Sequence, residues 1–133
     1  MIDKNYILFQ DPQTKNWWLN VEGQYIGYYP AKLFSNMASA DQVGWGGRTL
    51  TPPGTPSPEM GSGHVPDDDF AHACYFRFIS FQSDKRQDLG PPRYMTYTFV
   101  DKFNCFNAQY YGNQKEHFGY CLLFGGPGGN CGN

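Results

Sequence analysis

The chain has 133 residues, enough for one domain with a buried core but too few for two domains of ordinary size. Its formal net charge is −2 and its basic residues are dispersed, so we expect no nucleic-acid partner, which would need a basic surface. No apolar run approaches the ~20 residues of a membrane-spanning helix, so we expect no membrane partner. Aromatic residues make up 18% of the sequence, which favours β-strands, and we interpret residues 1–133 as one β domain.

Strand signals begin at the N-terminus. The runs NYILF, WWLN and QYIGYY are separated by QDPQTKN and by Glu22-Gly23, which predicts a hairpin or meander. Pro30 suits the first turn of a helix, and Leu33, Phe34 and Met37 follow at helical spacing, so we predict the one helix here. The runs QVGWGG and RTL are expected to return to the sheet.

A long loop divides the chain. Residues 51–69 hold five prolines and three glycines, and proline cannot donate a hydrogen bond to a strand ladder, so we predict a surface loop. Loops of this length are usually functional or mobile.

The second half carries the longest predicted strand. In FAHACYFRFISFQ, the side chains of Cys74, Phe76 and Phe78 share one face, which we interpret as the inward face. RYMTYTFV and FGYCLLF are further predicted strands, and the chain closes on the glycine-rich GGPGGNCGN. Strands at intervals of roughly 8 to 12 residues predict an all-β fold, an antiparallel β-sandwich with one short helix and long Pro/Gly-rich loops.

Four cysteines are spaced too unevenly for a CxxC zinc pair, and an even number in an aromatic β domain indicates two disulfides. Cys74 and Cys121 fall in predicted strands, whereas Cys105 and Cys131 flank the C-terminal segment. We therefore predict the pairs Cys74–Cys121 and Cys105–Cys131. Four reduced, buried cysteines are the alternative.

Seven motifs occur in a characteristic order: DPQTKNWWL, YIGYYPAKLF, VGWGG, MGSGH, ACYFRF, NCF and FGGPGGNC. Together they resemble the C-terminal half of the neprosin domain, over almost the whole chain from about Ile7 onward. The resemblance implies a sandwich of antiparallel sheets and a secreted, extracellular protein whose signal peptide lies outside this sequence. For active members, it implies a glutamic peptidase that cleaves after proline under acid conditions.

The resemblance also draws attention to Arg48. It implies two catalytic glutamates across a groove, one in the N-terminal half of the family domain and one directly after the WGG motif, where this sequence has Arg48. Two carboxyl groups that share a proton can divide the roles of acid and base, whereas a guanidinium stays protonated and cannot act as a base. The glutamates Glu22, Glu59 and Glu116 lie outside the motifs that we match to the groove. We predict no catalytic residue.

Other side chains are candidates for a groove or binding surface: Trp45, Arg48, Ser62, His64, Trp17, Trp18 and Tyr28. The aromatic ones could stack on sugar or proline rings, and core or inter-subunit packing is the alternative. Asp67, Asp68 and Asp69 could offer oxygens to calcium but lack the alternating spacing of a calcium loop, so we predict no metal and no cofactor.

Three functions remain open. The first is a secreted protein without peptidase activity, acting as an extracellular binding or self-assembling module. Half a sandwich would expose apolar faces and strand edges, so we expect a homo-oligomer or a second chain that completes the sandwich. The second is part of a prolyl endopeptidase whose missing acid comes from another chain. The third is a lectin-like module; proline-rich peptides and polysaccharides are the further partners considered.

Overall fold

The computed structural model describes residues 3–132, and these residues form an all-β fold with antiparallel sheets, as the sequence predicts. They fall into two compact units divided between Val43 and Gly44. Each unit contains one three-stranded sheet. The described part of the chain has no helix with the length and apolar character that crossing a membrane requires.

The N-terminal unit is the predicted meander. Strands β1 (Tyr6–Gln10), β2 (Trp17–Val21) and β3 (Gln24–Tyr29) pair antiparallel in the order β1-β2-β3. A two-residue turn joins β2 to β3, and both Glu22 and Gly23 have positive φ, 52° and 79°. Two positive φ angles are the signature of the type I′ turn, whose twist matches that of the flanking strands.

The predicted helix is a single 3-10 turn, Ala31–Leu33. Leu33, Phe34 and Met37 each donate a backbone hydrogen bond to a residue three positions earlier, so no α-helical turn forms. Pro30 provides no side-chain cap, and Ser35 and Asn36 are residues that favour turns over helix interiors. The apolar spacing was therefore insufficient to form a helix.

The C-terminal unit is built on the central strand β8. Its sheet has the order β4-β8-β7, from strands β4 (Cys74–Phe76), β7 (Asn107–Asn113) and β8 (Tyr120–Gly125). Strands β5 (Phe81–Gln82) and β6 (Asp88–Leu89) form a separate two-stranded sheet. Cys121, Leu122 and Leu123 of β8 are buried, because β8 is paired on both sides.

Several predicted strands are absent from the described residues. Residues 42–50, which contain QVGWGG and RTL, have no regular secondary structure, and RYMTYTFV forms only the 3-10 turn Arg93–Met95. The long strand of residues 70–82 is limited to β4 and β5: Phe78 has a φ of 52° and is 56% exposed, so it does not lie on an inward face. Aromatic residues favour strands only where a neighbouring strand is available for pairing.

One disulfide prediction is confirmed and the other is wrong. Cys105 and Cys131 are bonded and lie with Phe106 in a buried cluster, against which Met60 and Val100 pack. Cys74 and Cys121 are free thiols. Cys74 pairs with Phe124 in the β4-β8 ladder, so Cys121 lies three positions away and its side chain points to the other face of the sheet, out of reach of a disulfide.

The proline-rich segment 51–69 is a loop with two single-residue bridges to the C-terminal tail, Ser57 with Gly129 and Met60 with Gly126. Ser57 is buried, and its hydroxyl shares a hydrogen bond of 2.8 Å with that of Thr51. The loop is thereby anchored to the tail that follows β8.

Candidate functional site

Several glycine-containing motifs meet beside the end of β8, in an arrangement that we call the glycine junction: Gly47, Gly61, Gly125 and Gly126 with their contacts. A Cβ atom on Gly47 would lie 2.5 Å from Met60 Sδ and 2.8 Å from the ring of Phe124. On Gly61, a Cβ atom would lie 2.7 Å from Cys74 Sγ. These positions therefore accept only glycine without a shift of their neighbours.

At the other two glycines of the junction, Gly125 and Gly126, the close contacts are with backbone atoms. A Cβ atom on Gly125 would lie 2.5 Å from the carbonyl oxygen of His64, and one on Gly126 would clash with the carbonyl oxygen of Cys105. Gly126 and Met60 also exchange backbone hydrogen bonds of 3.0 and 3.2 Å. The motifs VGWGG, MGSGH, ACYFRF, NCF and FGGPGGNC, distant in sequence, are thus contiguous in space.

Arg48 directly follows the junction. Its side chain is exposed, and among residues 3–132 the structure shows no hydrogen bond or ion pair to its guanidinium. Trp45, on the other side of the two glycines, is half-buried. The motif therefore presents an exposed cation directly after its two glycines.

One glutamate lies beside the junction. The carboxylate of Glu59 folds over Gly63, with Oε2 3.0 Å from the place of a Cβ atom on that glycine. Glu22, by contrast, lies in the β2-β3 turn, where it accepts a hydrogen bond from the backbone N–H of Asn5. Glu116 lies in the turn between β7 and β8. Of the two glutamates in the C-terminal unit, Glu59 is therefore the one beside the glycine junction, and it is exposed.

A charged cluster lies on the loop that leads from the junction to β4. Nδ1 of His72 lies 2.8 Å from Oδ2 of Asp67, and Nε2 lies 3.4 Å from Oδ2 of Asp69. The hydrogen bond between the two side chains raises the pKa of His72 and lowers the pKa of Asp67. Only the protonated imidazole can donate from both nitrogens, so this arrangement favours the cation.

The neighbouring Asp68 faces the other way. Its Oδ1 accepts a hydrogen bond of 2.6 Å from the hydroxyl of Tyr111 on β7, and one of 3.4 Å from Nε2 of Gln109. Burial, followed by the bond to Asp68, raises the pKa of Tyr111 to about 12. The three aspartates thus hold the loop together, and in the described part of the chain no group of three or more His, Cys, Asp or Glu side chains is placed to hold a metal ion.

His64 and Ser62 belong to the same neighbourhood. The imidazole rings of His64 and His72 lie 5.9 Å apart, centroid to centroid, and the His64 backbone N–H donates to Ser62 Oγ at 3.4 Å. The sequence analysis named His64 as a candidate residue but not His72. His72 belongs to the charged cluster because it contacts Asp67 and Asp69, and these carboxylates follow no metal-binding spacing. The sequence signal that could have found the cluster was the run Asp67, Asp68 and Asp69, which ends three residues before His72.

The remaining predicted residues lie in the N-terminal sheet. Trp18 contacts Tyr28 and Tyr25 with ring centroids 4.8 and 5.6 Å apart, and it lies opposite Phe9 in the β1-β2 ladder. Trp17 pairs instead with Tyr29, and its buried indole N–H has no hydrogen-bond partner among the described residues. The seven predicted binding residues are therefore divided: Trp45, Arg48, Ser62 and His64 lie in one unit, and Trp17, Trp18 and Tyr28 in the other.

The neprosin family model matches residues 1–127 of the chain. The match covers the whole N-terminal unit, most of the C-terminal unit and all four glycines of the junction. The chain belongs to the neprosin family.

Proposed function

We propose that this chain is a member of the neprosin family without peptidase activity, acting as an extracellular binding or self-assembling module. Arg48 carries the proposal. It follows the WGG motif at the position where the resemblance places a catalytic glutamate, and it is an exposed cation. A guanidinium cannot take a proton from water, and it would hold a nearby carboxylate in the charged form, which cannot donate one.

Exposed apolar side chains support the association part of the proposal. The segment that follows Pro92 has Tyr94 at 87% and Phe103 at 84% exposure, and Met95, Tyr97 and Phe99 lie between them, also exposed. Exposed apolar side chains that form a contiguous patch usually mark a surface that another molecule covers. The strands β1 and β3 are, in addition, edge strands of their sheet.

The activity is tested with purified protein and a proline-containing peptide near pH 4. We expect no cleavage by the wild type, because the second acid is replaced by Arg48. The variant Arg48→Glu replaces the cation by a carboxyl group. Arg48→Gln is its matched control, since it removes the cation without adding a carboxyl group. Cleavage by the wild-type chain that persists through purification to homogeneity would contradict the proposal.

Glu59 supports a second candidate, a prolyl endopeptidase that uses a different acid. Its carboxylate lies over the MGSGH loop, and a partner chain would supply the second carboxyl group. Loss of cleavage in Glu59→Gln, but not in the distant Glu116→Gln, would establish this function. Equal activity in both variants would assign the hydrolysis to a contaminant or to other residues.

Association is tested by light scattering over a wide range of protein concentration. We expect a mass above that of the 15.1 kDa chain, decreasing in Tyr94→Ser/Phe103→Ser. Lys115→Ser, in the turn after β7, is the control for a surface change without loss of apolar area. A monomeric mass at every concentration would rule out self-assembly.

A further inference from the structure

A cleft of about 370 Å³ opens on one face of the N-terminal sheet, lined by Phe9, Asp11, Trp18 and Tyr25. The volume lies within the range of small-molecule sites, roughly 300 to 1,000 Å³. Phe9 and Trp18 are direct cross-strand neighbours, and Tyr25 lies opposite Asn20, two positions from Trp18 on the same face. The strand ladders therefore place the three aromatic side chains on the same face of the sheet.

The ring planes decide which ligand shape fits. Tyr25 meets Trp18 at 77° and Phe9 at 63°, with centroids 5.6 and 6.2 Å apart. Rings at such angles form the walls of a corner, whereas a sugar ring stacks on a single flat face. A corner suits a compact group that contacts several aromatic rings at once. We call these three rings with Asp11 the aromatic corner.

Asp11 gives the corner its charge. Its Oδ1 accepts hydrogen bonds from the backbone N–H groups of Gln13 and Thr14, at 2.9 and 2.6 Å, and from the Thr14 hydroxyl at 3.0 Å. These bonds belong to the turn between β1 and β2, and they orient the carboxylate that lines the cleft. Both the carboxylate and the electron-rich ring faces attract a cation.

The kind of cation follows from hydrogen-bonding capacity. A primary ammonium has three N–H donors, and it would leave donors unpaired among aromatic rings. A methylated ammonium spreads its charge over methyl groups that need no acceptor, and aromatic rings bind such groups in other proteins. Its compact shape fits a corner better than the flat, five-donor guanidinium of arginine.

We propose that the aromatic corner binds a methylated ammonium group, supplied either by a free small cation or by a methylated lysine side chain. The site lies wholly within residues 9–25, in the N-terminal unit, whereas Arg48 and the glycine junction lie in the other. The proposal therefore stands whether or not the chain hydrolyses peptides.

The test is a titration followed by the NMR signal of the Trp18 indole. Choline is compared with 3,3-dimethyl-1-butanol, which has the same shape without the charge. We expect choline to bind about tenfold to a hundredfold more tightly, the sum of three modest cation–π contacts and one carboxylate. Equal affinity for the two compounds, or no saturable shift with choline up to roughly 100 mM, would overturn the proposal.

Variants make the assignment specific. Asp11→Asn keeps an oxygen acceptor for the turn but removes the charge, so we expect choline binding to weaken while the neutral compound is unaffected. Tyr6→Leu removes an aromatic ring on the other face of β1. It is the control for a change outside the aromatic corner and should bind choline like the wild type. Wild-type affinity for choline in Asp11→Asn would count against the carboxylate and overturn the site as proposed.

A peptide arm distinguishes the two sources of the group. A short peptide with one trimethyllysine is compared with the same peptide carrying unmodified lysine. Binding of the methylated peptide more tightly than choline would assign the site to a protein side chain; equal binding would assign it to a free small cation. A preference for the unmodified peptide would overturn the proposal.

Discussion

The two units differ in how closely some of their glycines are packed. In the N-terminal sheet, a Cβ atom on Gly23 or Gly27 would meet nothing within 4 Å, and aromatic side chains such as Tyr25, which is 67% exposed, face outward. In the C-terminal unit, Gly47 and Gly126 are pressed against a side chain and a backbone carbonyl. The first unit thus displays side chains on a simple ladder, and the second depends on close approach of backbone segments.

The largest expected effect tests the covalent part of the second unit. Replacing both cysteines, Cys105→Ser/Cys131→Ser, should lower the free energy of unfolding by about 3.5 kcal/mol, because the bond closes a loop with a sequence separation of 26. Urea unfolding measures the loss, and amide exchange should quicken in β7 and β8 before β2. A loss below about 1 kcal/mol would show that the tail is held by its noncovalent contacts.

Neighbouring glycines of the WGG motif offer a matched pair. Gly47→Ala should destabilise the fold by about 1 to 3 kcal/mol, because the new methyl group overlaps Met60 and Phe124. Gly46→Ala adds a methyl group where nothing lies within 4 Å, so its effect should be within about 0.5 kcal/mol. Equal urea midpoints for the two variants would contradict the close packing of Gly47 against Met60 and Phe124.

A substitution at Gly23 tests the N-terminal unit. There the backbone conformation of the glycine, and not the space around it, disfavours a side chain. Its φ is 79°, so Gly23→Ala should cost about 1 to 2 kcal/mol despite the open surroundings. Gly27→Ala, in open space on β3 without a positive φ, should be neutral or slightly stabilising. Denaturation followed by tryptophan fluorescence compares the two, and a neutral Gly23→Ala would mean that the type I′ turn rearranges readily.

The smallest effect concerns pH and the loop held by His72. The pKa of His72 is raised in the folded chain, so its contribution is fully present below the unfolded value of about 6.5 and is lost as pH rises through the folded value. The pKa of Asp67 is lowered, so its contribution is present above about 3.8 and is lost as pH falls through the folded value. The loop that carries His72 and Asp67 should therefore be most ordered between about pH 3.8 and about pH 6.5, where both contributions are present.

NMR titration of the His72 ring checks this window. Asp67→Asn should move the His72 titration to lower pH, because it removes the main acceptor of the imidazolium proton. Asp84→Asn, in the turn between β5 and β6, is the control and should leave it in place. An unchanged titration in Asp67→Asn would show that the pair does not form in solution.

The sequence predicted what local chemistry determines. The meander of residues 6–29 is marked by strand runs separated by turn residues, and it is confirmed together with the antiparallel all-β fold and the Cys105–Cys131 bond. Whether the two units form one domain stays a prediction. Strand signals failed in residues 42–50 and 93–100, where aromatic and β-branched residues find no neighbouring strand.

The candidate sites were harder to predict because they depend on contacts that are distant along the chain. The motifs contain these glycines, but they do not show that Gly47 meets Met60 or that Gly126 meets Cys105. The aromatic run suggested a flat platform, whereas the angles between ring planes, which form a corner, depend on the register of three strands. The second disulfide failed because alternation along a strand does not specify which position on the neighbouring strand faces it.

The two unbonded cysteines make the glycine junction observable without engineering. Cys74 is half-buried with its sulfur against Gly61, whereas Cys121 is fully buried on β8 and its burial raises the pKa of the thiol. Alkylating reagents attack the thiolate form of accessible cysteines. Brief exposure to such a reagent should therefore modify Cys74 first, at a rate that reports how accessible its sulfur is beside Gly61.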